Sequence, residues 1–190
     1  MNRAVFFDKD GVLNIDKGVK HHQNYVDLFP WSGDIIAEFK SKNFKIFVVT
    51  NQPAVARGLI TEKDLNNAFK QFIEMIKKQN SEALIDRIYY CPHHPNGDLK
   101  KYREICECRK PKPGMLIRAS NEYDIDLNRS YMIGDRISDI VAGHLAGCTT
   151  IQFLSGRHHE KEIESDLVLG KNVEPDFTIK NIYNLESIVL

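Results

Sequence analysis

The sequence predicts an α/β fold: a single domain built on a parallel sheet covered by helices on both faces. Three observations carry this reading. Apolar runs of strand length recur along the chain, amphipathic stretches of helical period separate them, and no Pro/Gly/Ser-rich linker divides the 190 residues. Strands buried on both faces read as unbroken apolar runs, whereas one solvated face would give alternation. A chain of this size buries roughly 70% of its unfolded surface, which is enough for one core.

The first predicted strand is Ala4–Phe7, four consecutive apolar residues, and residues 46–49, 88–90, 131–133 and Thr149–Phe153 repeat the pattern. A helix is expected from about residue 33 to 42. Thr61 with Asp64 resembles a capping box, opening a second helix that runs to about residue 78. Within it Phe69, Phe72, Ile73 and Ile76 fall at helical spacing, a core stripe and not a cofactor box. A third helix begins near Pro113, a good first-turn residue, and a fourth spans about 137–146 with Gly147 as its C-cap. From about residue 155 the chain is polar and then amphipathic over 182–190, and no internal repeat occurs.

Composition excludes some classes of partner. Hydrophobic residues make up 42% and charged residues 27%, ordinary for a soluble globular protein. Basic and acidic side chains balance at 26 each, so no electrostatic footprint for nucleic acid or a membrane surface is present. The opening MNRAVFFDKDG meets acidic residues after four apolar positions, too few for a signal-peptide core, and no apolar run has membrane-spanning length. A cytoplasmic protein is expected, where thiols stay reduced and clustered cysteines more often hold metal than form disulfides.

Open parallel sheets bind ligands at the carboxyl ends of their strands. The first strand ends in Asp8-Lys9-Asp10-Gly11, the second in Thr50-Asn51-Gln52, and the fourth in Gly134-Asp135-Arg136 with Asp139 a turn later. An isolated D-x-D-G is usually a turn, and a calcium loop is excluded because the further ligands and closing Glu are missing. Three strand ends delivering polar residues to one rim outweigh that reading. Asp8 and Asp10, two apart, face the same way; one carboxylate can attack while the other moves protons. With Asp135 they can hold Mg²⁺, which takes oxygen ligands and shares its sphere with substrate phosphate.

The stretch CPHHPNGDLKKYREICECRK, residues 91–110, holds three of the four cysteines. Cys91, His93, Cys106 and Cys108 supply three thiolates and an imidazole, a set suited to tetrahedral Zn²⁺ with no position left for water, so the site is expected to be structural. Cys148, beside a predicted strand, reads as a small buried hydrophobe, and His94 as an exposed neighbour of the motif. The pairs His21-His22 and His158-His159 lack companion ligands and read as solvated loops, while Arg57 either reaches a remote phosphate or faces solvent.

At these residues the chain resembles the haloacid dehalogenase-like (HAD) phosphohydrolases. FFDKDGVLN is similar to their first motif, VVTNQ to the second, RKPKPGM to the third and MIGDRISD to the fourth, in the family's order. The resemblance implies a HAD-like Rossmannoid three-layer domain, with Asp8 as nucleophile and Asp10 as general acid/base. Thr50 and Lys110 would hold the phosphoryl group. Mg²⁺ would be bound by the Asp8 carboxylate, the Asp10 backbone carbonyl and Asp135. The intervening residues 12–31 are too few for a large cap domain.

IYYCPHHP, CRKPKPGM and the ARG after the second motif resemble the zinc-loop branch of the family, whose members act on heptose 1,7-bisphosphate or histidinol phosphate; the likeness covers about residues 3–153 and is closer to the heptose enzymes. It implies substrate contacts from Asp16, Lys17, Gly18 and Val19, from Asn51, Gln52 and Pro53 beside Thr50, and from Arg109 and Arg136. Two positions depart from the branch: Pro53-Ala54 stands where Ser-Gly is common, and Arg136 where Lys is usual. The expected activity is Mg²⁺-dependent removal of the C7 phosphate of D-glycero-D-manno-heptose 1,7-bisphosphate. The expected partner is a small-molecule sugar bisphosphate, with no nucleic acid, no membrane and a monomeric state. Histidinol-phosphate phosphatase is the alternative enzyme, and a phospho-aspartate signalling module the alternative of another class. Asp10 argues against the module, because a protein that keeps its phosphoaspartate has little need of a second carboxylate.

Overall fold

The computed structural model describes residues 1–18, 26–155 and 173–189. The strands are β1 (Ala4–Phe7), β2 (Lys45–Asn51), β3 (Arg87–Cys91), β4 (Tyr131–Gly134), β5 (Thr149–Phe153) and β6 (Phe177–Ile179). They form one parallel sheet in the order β3-β2-β1-β4-β5-β6. The helices are α1 (Ser32–Ser41), α2 (Pro53–Ala56), α3 (Glu62–Gln79), α4 (Gly114–Tyr123) and α5 (Ile137–Ala146), and a final short turn of helix is Leu185–Ile188.

Alternation along β1 produces the layers. Val5 and Phe7 pack with Ile35, Ile36 and Phe39 of α1 and with Phe72 and Ile76 of α3. Ala4 and Phe6 face the other way, against Met115, Leu116 and Ala119 of α4 and Ala142 of α5. Helices on both faces make three layers, and each large apolar side chain fully buried there contributes about 1.5–3 kcal/mol. Phe69 belongs instead to a small cluster with Val55 and Leu65, which seats α2 under the start of α3.

The expected caps are present. Thr61 Oγ1 accepts from the Asp64 backbone N–H (3.1 Å) while Asp64 Oδ2 accepts from the Thr61 N–H (3.0 Å). Gly147 ends α5 with φ +87°. β6 has no counterpart among the predicted strands. Its three residues, Phe-Thr-Ile, favour a strand but are too few to stand out from the polar chain around them, and only Ile179 is buried. The strand is set by a distant contact: Asp176 Oδ2 accepts from Thr150 N–H and Oγ1–H, both at 2.8 Å, docking the chain beside β5.

Between β1 and α1 the described residues contain isolated bridges, Asp10 with Asn14 and Asn14 with Leu28, and no helix, so they build no large cap. Among the described residues no helix is long and apolar enough to cross a membrane. Val19, His21-His22 and His158-His159 lie outside the described residues.

Candidate active site and metal centres

The adjacency of β2, β1 and β4 brings the three polar strand ends together. Asp8 directly follows β1, and its backbone N–H donates to the Ile133 carbonyl (2.8 Å). Thr50 lies near the end of β2, and Asp135 directly follows β4; both side chains are buried.

Lys110 reaches this cluster from a distant loop. Its Nζ donates to Asp8 Oδ1 and the Val49 carbonyl, each at 2.7 Å, and pairs with Asp139 Oδ1 at 2.6 Å. The backbone beneath it is held by Asn51, whose Oδ1 accepts from Lys110 N–H (3.0 Å) and whose Nδ2 donates to the Lys110 carbonyl (2.9 Å). Asn51 thus positions Lys110 across 59 residues of sequence, a role its place in VVTNQ does not reveal. Asp139, which the motif placed a turn after Asp135 without a role, pairs with Lys110 and also accepts the Arg136 N–H through Oδ2 (3.1 Å). Gly134 is required there, because a Cβ would lie 2.2 Å from the Asp139 Cβ.

Asp8, Asp135 and Asp139 are buried, and their carboxylate oxygens lie within 4.8 Å of one another. Burial, the coulombic pull of Lys110 against it, and repulsion from Asp139 and Asp10 leave the Asp8 carboxyl pushed up to about 7. Burial and the neighbouring Asp8 and Asp139 push Asp135 up to about 8. Burial opposes charge on Lys110, but Asp139 and Asp8 outweigh it and hold the amine protonated above its ordinary range. One ammonium cannot balance the three clustered carboxyls once they ionise, so their ionised form calls for a further cation. Asp135 Oδ1 is buried without a hydrogen-bond partner. Gly11, at φ +95°, lies so close that a Cβ there would sit 2.2 Å from Asp135 Oδ2. An orphaned carboxylate oxygen among clustered carboxyls, all hard oxygen donors, fits a divalent cation such as Mg²⁺.

Asp10 lies on the open side of the cluster. Asn14 Nδ2 donates to its Oδ1 (2.9 Å), Gln52 Nε2 to its Oδ2 (3.2 Å), and Lys9 Nζ pairs with Oδ1. Gln52 Nε2 also donates to Thr50 Oγ1 (2.9 Å), linking the hydroxyl to Asp10. Nearby, Arg136 donates to Asp16 Oδ2 (2.9 Å), Gly18 N–H donates to Asp16 Oδ1 (2.7 Å), and Lys17 pairs with Asp27 (2.6 Å). Two residues predicted to touch substrate, Asp16 and Arg136, therefore meet across 120 positions of sequence. Pro53 opens α2, and Arg57 at its end is exposed.

The second centre lies beyond β3. Cys91 Sγ is 3.4 Å from Cys106 Sγ, Cys106 Sγ is 3.2 Å from Cys108 Sγ, and His93 Nδ1 is 3.8 Å from Cys91 Sγ and 3.5 Å from Cys108 Sγ. Hydrogen bonding to Cys108 and then burial push the Cys91 thiol up, whereas bonds from Cys91, Cys106 and His93, working against burial, draw Cys108 down to about 5. Four converging donors of this softness, one already favouring thiolate, fit Zn²⁺. Arg109 follows directly and donates to the His93 carbonyl (3.2 Å), so the cluster also fixes where Arg109 and Lys110 enter the rim. His94 is half-buried and not exposed: its backbone N–H donates to Tyr102 and its Nδ1 accepts from Asn96 N–H (3.0 Å). Cys148 is buried beside β5, as expected of a small hydrophobe.

A HAD-hydrolase-like family model matches residues 107–185. The D-glycero-β-D-manno-heptose-1,7-bisphosphate 7-phosphatase of Yersinia pestis is 36% identical over 183 residues, spanning 95% of this chain and 96% of its own. The enzyme of the same name from Salmonella typhi is 37% identical over 180 residues, spanning 93% and 95%. The crystal structure of D,D-heptose 1,7-bisphosphate phosphatase from B. bronchiseptica, complexed with magnesium and phosphate, superposes with a TM-score of 0.79 at 25% identity, covering 98% of this chain and 97% of that one. The chain belongs to the HAD-like phosphatase family that contains these heptose-bisphosphate phosphatases, is a phosphoric monoester hydrolase, and carries a Cys/His cluster compatible with zinc.

Proposed function

We propose that this enzyme removes the C7 phosphate of D-glycero-β-D-manno-heptose 1,7-bisphosphate, leaving the 1-phosphate. The observation that carries the reading is the meeting of Asp8, Asp135 and Lys110 at one rim in a chain 35–37% identical to phosphatases of that substrate.

Asp8 is the nucleophile, forming an aspartyl phosphate. Attack brings one anion onto another, so charge on the phosphoryl oxygens must be compensated. Lys110 supplies a fixed cation beside Asp8, and the Thr50 hydroxyl supplies a donor. The Asp8 carboxylate, the Asp10 carbonyl and Asp135 would hold Mg²⁺, which neutralises phosphoryl charge when bound. Asp10 protonates the departing sugar alkoxide and then takes a proton from the water that opens the aspartyl phosphate, a pair of transfers worth about 10²- to 10⁴-fold. Asn51 acts through Lys110, while Gln52 joins Thr50 to Asp10.

Recognition falls to Asp16, Lys17, Gly18 and Val19, to Pro53, and to Arg109 and Arg136. A forked guanidinium suits the remote phosphate or sugar hydroxyls, whereas the amine and imidazole of histidinol phosphate call for rim carboxylates. Asp16 is engaged by Arg136 and Asp139 by Lys110, so neither carboxylate offers itself to a cationic substrate. The enzyme works in the cytoplasm as a monomer; the compartment is supported by a Cys/His set whose cysteines form no disulfide. Steady-state comparison of the two substrates tests the assignment. The kcat/KM for the heptose bisphosphate exceeds that for histidinol phosphate by at least about tenfold, or roughly 1.4 kcal/mol. Equal values, or the reverse order, overturn the substrate and leave the phosphatase chemistry standing.

A further inference from the structure

Lys9 is a buried ammonium that the mechanism above does not use. Its side chain is 1% exposed, whereas the Asp10 side chain it pairs with is 27% exposed. Strand alternation would turn Lys9 away from the rim, since Asp8 and Asp10 face it. Lys9 accordingly lies on the Val5 and Phe7 face with Phe72, and the chain turns immediately after β1. The Lys9 carbonyl accepts from the backbone N–H groups of Leu13 (3.0 Å) and Asn14 (2.8 Å), closing a turn. Its side-chain Nζ lies 5.9 Å from the centroid of the Phe72 ring of α3 and pairs with Asp10 Oδ1. Asn14 Nδ2 donates to the same oxygen (2.9 Å), and Asn14 is itself fixed because its Oδ1 accepts from the Asp27 N–H (2.7 Å). Asp10 is thus gripped from beneath at Oδ1 and bridged to Thr50 through Gln52 at Oδ2.

We infer that Lys9 is a positioning residue for catalysis: its buried ammonium fixes the Asp10 carboxyl against the rim where the sugar oxygen leaves and water arrives. The inference rests on the reading of Asp10 as general acid/base. Its physical content is preorganisation. A buried ammonium attracts a nearby carboxylate strongly, so Lys9, held in the core, favours the Asp10 position that meets it. A displacement of about 1 Å in a proton-transfer group can cost about a hundredfold in rate. A residue on the solvent side could not impose that constraint, because a solvated side chain has other geometries of equal energy.

Leaving-group dependence separates positioning from plain structural support. A sugar alkoxide needs a proton as it departs, whereas the p-nitrophenolate of p-nitrophenyl phosphate leaves with little help. The experiment measures kcat/KM of the magnesium-loaded enzyme on heptose 1,7-bisphosphate and on p-nitrophenyl phosphate, for wild type, Lys9→Met, Lys9→Arg and Asp10→Asn. The expected result is a loss in Lys9→Met at least about tenfold greater on the sugar ester than on the aryl ester, with much of the difference recovered in Lys9→Arg. Asp10→Asn shows the same selectivity more strongly. If Asp10→Asn is selective while Lys9→Met loses both esters equally, Lys9 is only structural and the inference fails while the role of Asp10 stands. If Asp10→Asn loses both equally, the reading of Asp10 falls first. Ammonium-selective ¹H–¹⁵N spectra give a second test that does not need a folded Lys9→Met. The protected lysine signal that disappears in Lys9→Arg shifts in Asp10→Asn. A signal that does not move in Asp10→Asn overturns the pairing itself.

Discussion

Lowering pH should release Mg²⁺ far more steeply than an ordinary carboxylate site would. Without metal, burial above all and then the neighbouring carboxylates push Asp8 up to about 7 and Asp135 up to about 8, with Lys110 opposing. Both must ionise to serve as ligands. At pH 6 most molecules hold a proton on this pair, so Mg²⁺ should bind at least about tenfold more weakly than at pH 9. An unperturbed pair, both ionised above about pH 5, would show almost no change over that range. The sign for stability follows from the same protons. Between about pH 4 and 8 the folded metal-free chain holds more protons on these two groups than the unfolded chain, so their contribution to stability falls as pH rises through that window. Mg²⁺ reverses this by compensating the ionised pair, and its stabilising effect grows with pH. The assay is calorimetric titration of magnesium into zinc-retaining enzyme, in two buffers of different ionisation enthalpy at each pH. Between one and two protons should be released per ion at pH 6 and almost none at pH 9. A dissociation constant that is flat from pH 6 to 9, with no buffer dependence, refutes the reasoning.

Purified enzyme should carry about one zinc per chain by elemental analysis, and Cys106→Ser should lose it, because three donors no longer close a tetrahedron. Asn51→Ala should lower kcat by about tenfold to a hundredfold through the misplaced Lys110, while thermal unfolding reports a loss of only about 1–3 kcal/mol from two hydrogen bonds. Arg109→Ala should reduce kcat/KM on the bisphosphate about tenfold more than on a small generic phosphate ester, since only the former offers a remote anionic group to the guanidinium; equal losses in the two assays would move recognition elsewhere.

The parts legible in the sequence were those with local signals. Five strands declared themselves as apolar runs, and the Thr61 box and Gly147 marked helix ends by residue type alone. The zinc cluster was legible because Cys106 and Cys108 among charged neighbours make little sense as buried hydrophobes. The missing parts are long-range. β6 is docked by the contact of Asp176 with Thr150, and its three residues are too short a run to be picked out from sequence. Asn51 reads as one member of a polar strand end, and only the fold sets its carboxamide against the Lys110 backbone. Asp139 stood in view without a role until Lys110 arrived beside it. Lys9 keeps to the Val5 and Phe7 face beside Phe72, as alternation requires, but the sequence does not show that its ammonium meets Asp10 there.

The central claim is that Asp8 chemistry removes one particular phosphate, and ³¹P NMR of the reaction tests it directly. With Mg²⁺ and D-glycero-β-D-manno-heptose 1,7-bisphosphate, the C7 monoester signal should decay as inorganic phosphate grows in equal amount, the C1 signal should persist as heptose 1-phosphate, and Asp8→Asn should leave both esters unchanged. Loss of the C1 signal, loss of both, or undiminished turnover in Asp8→Asn would contradict it.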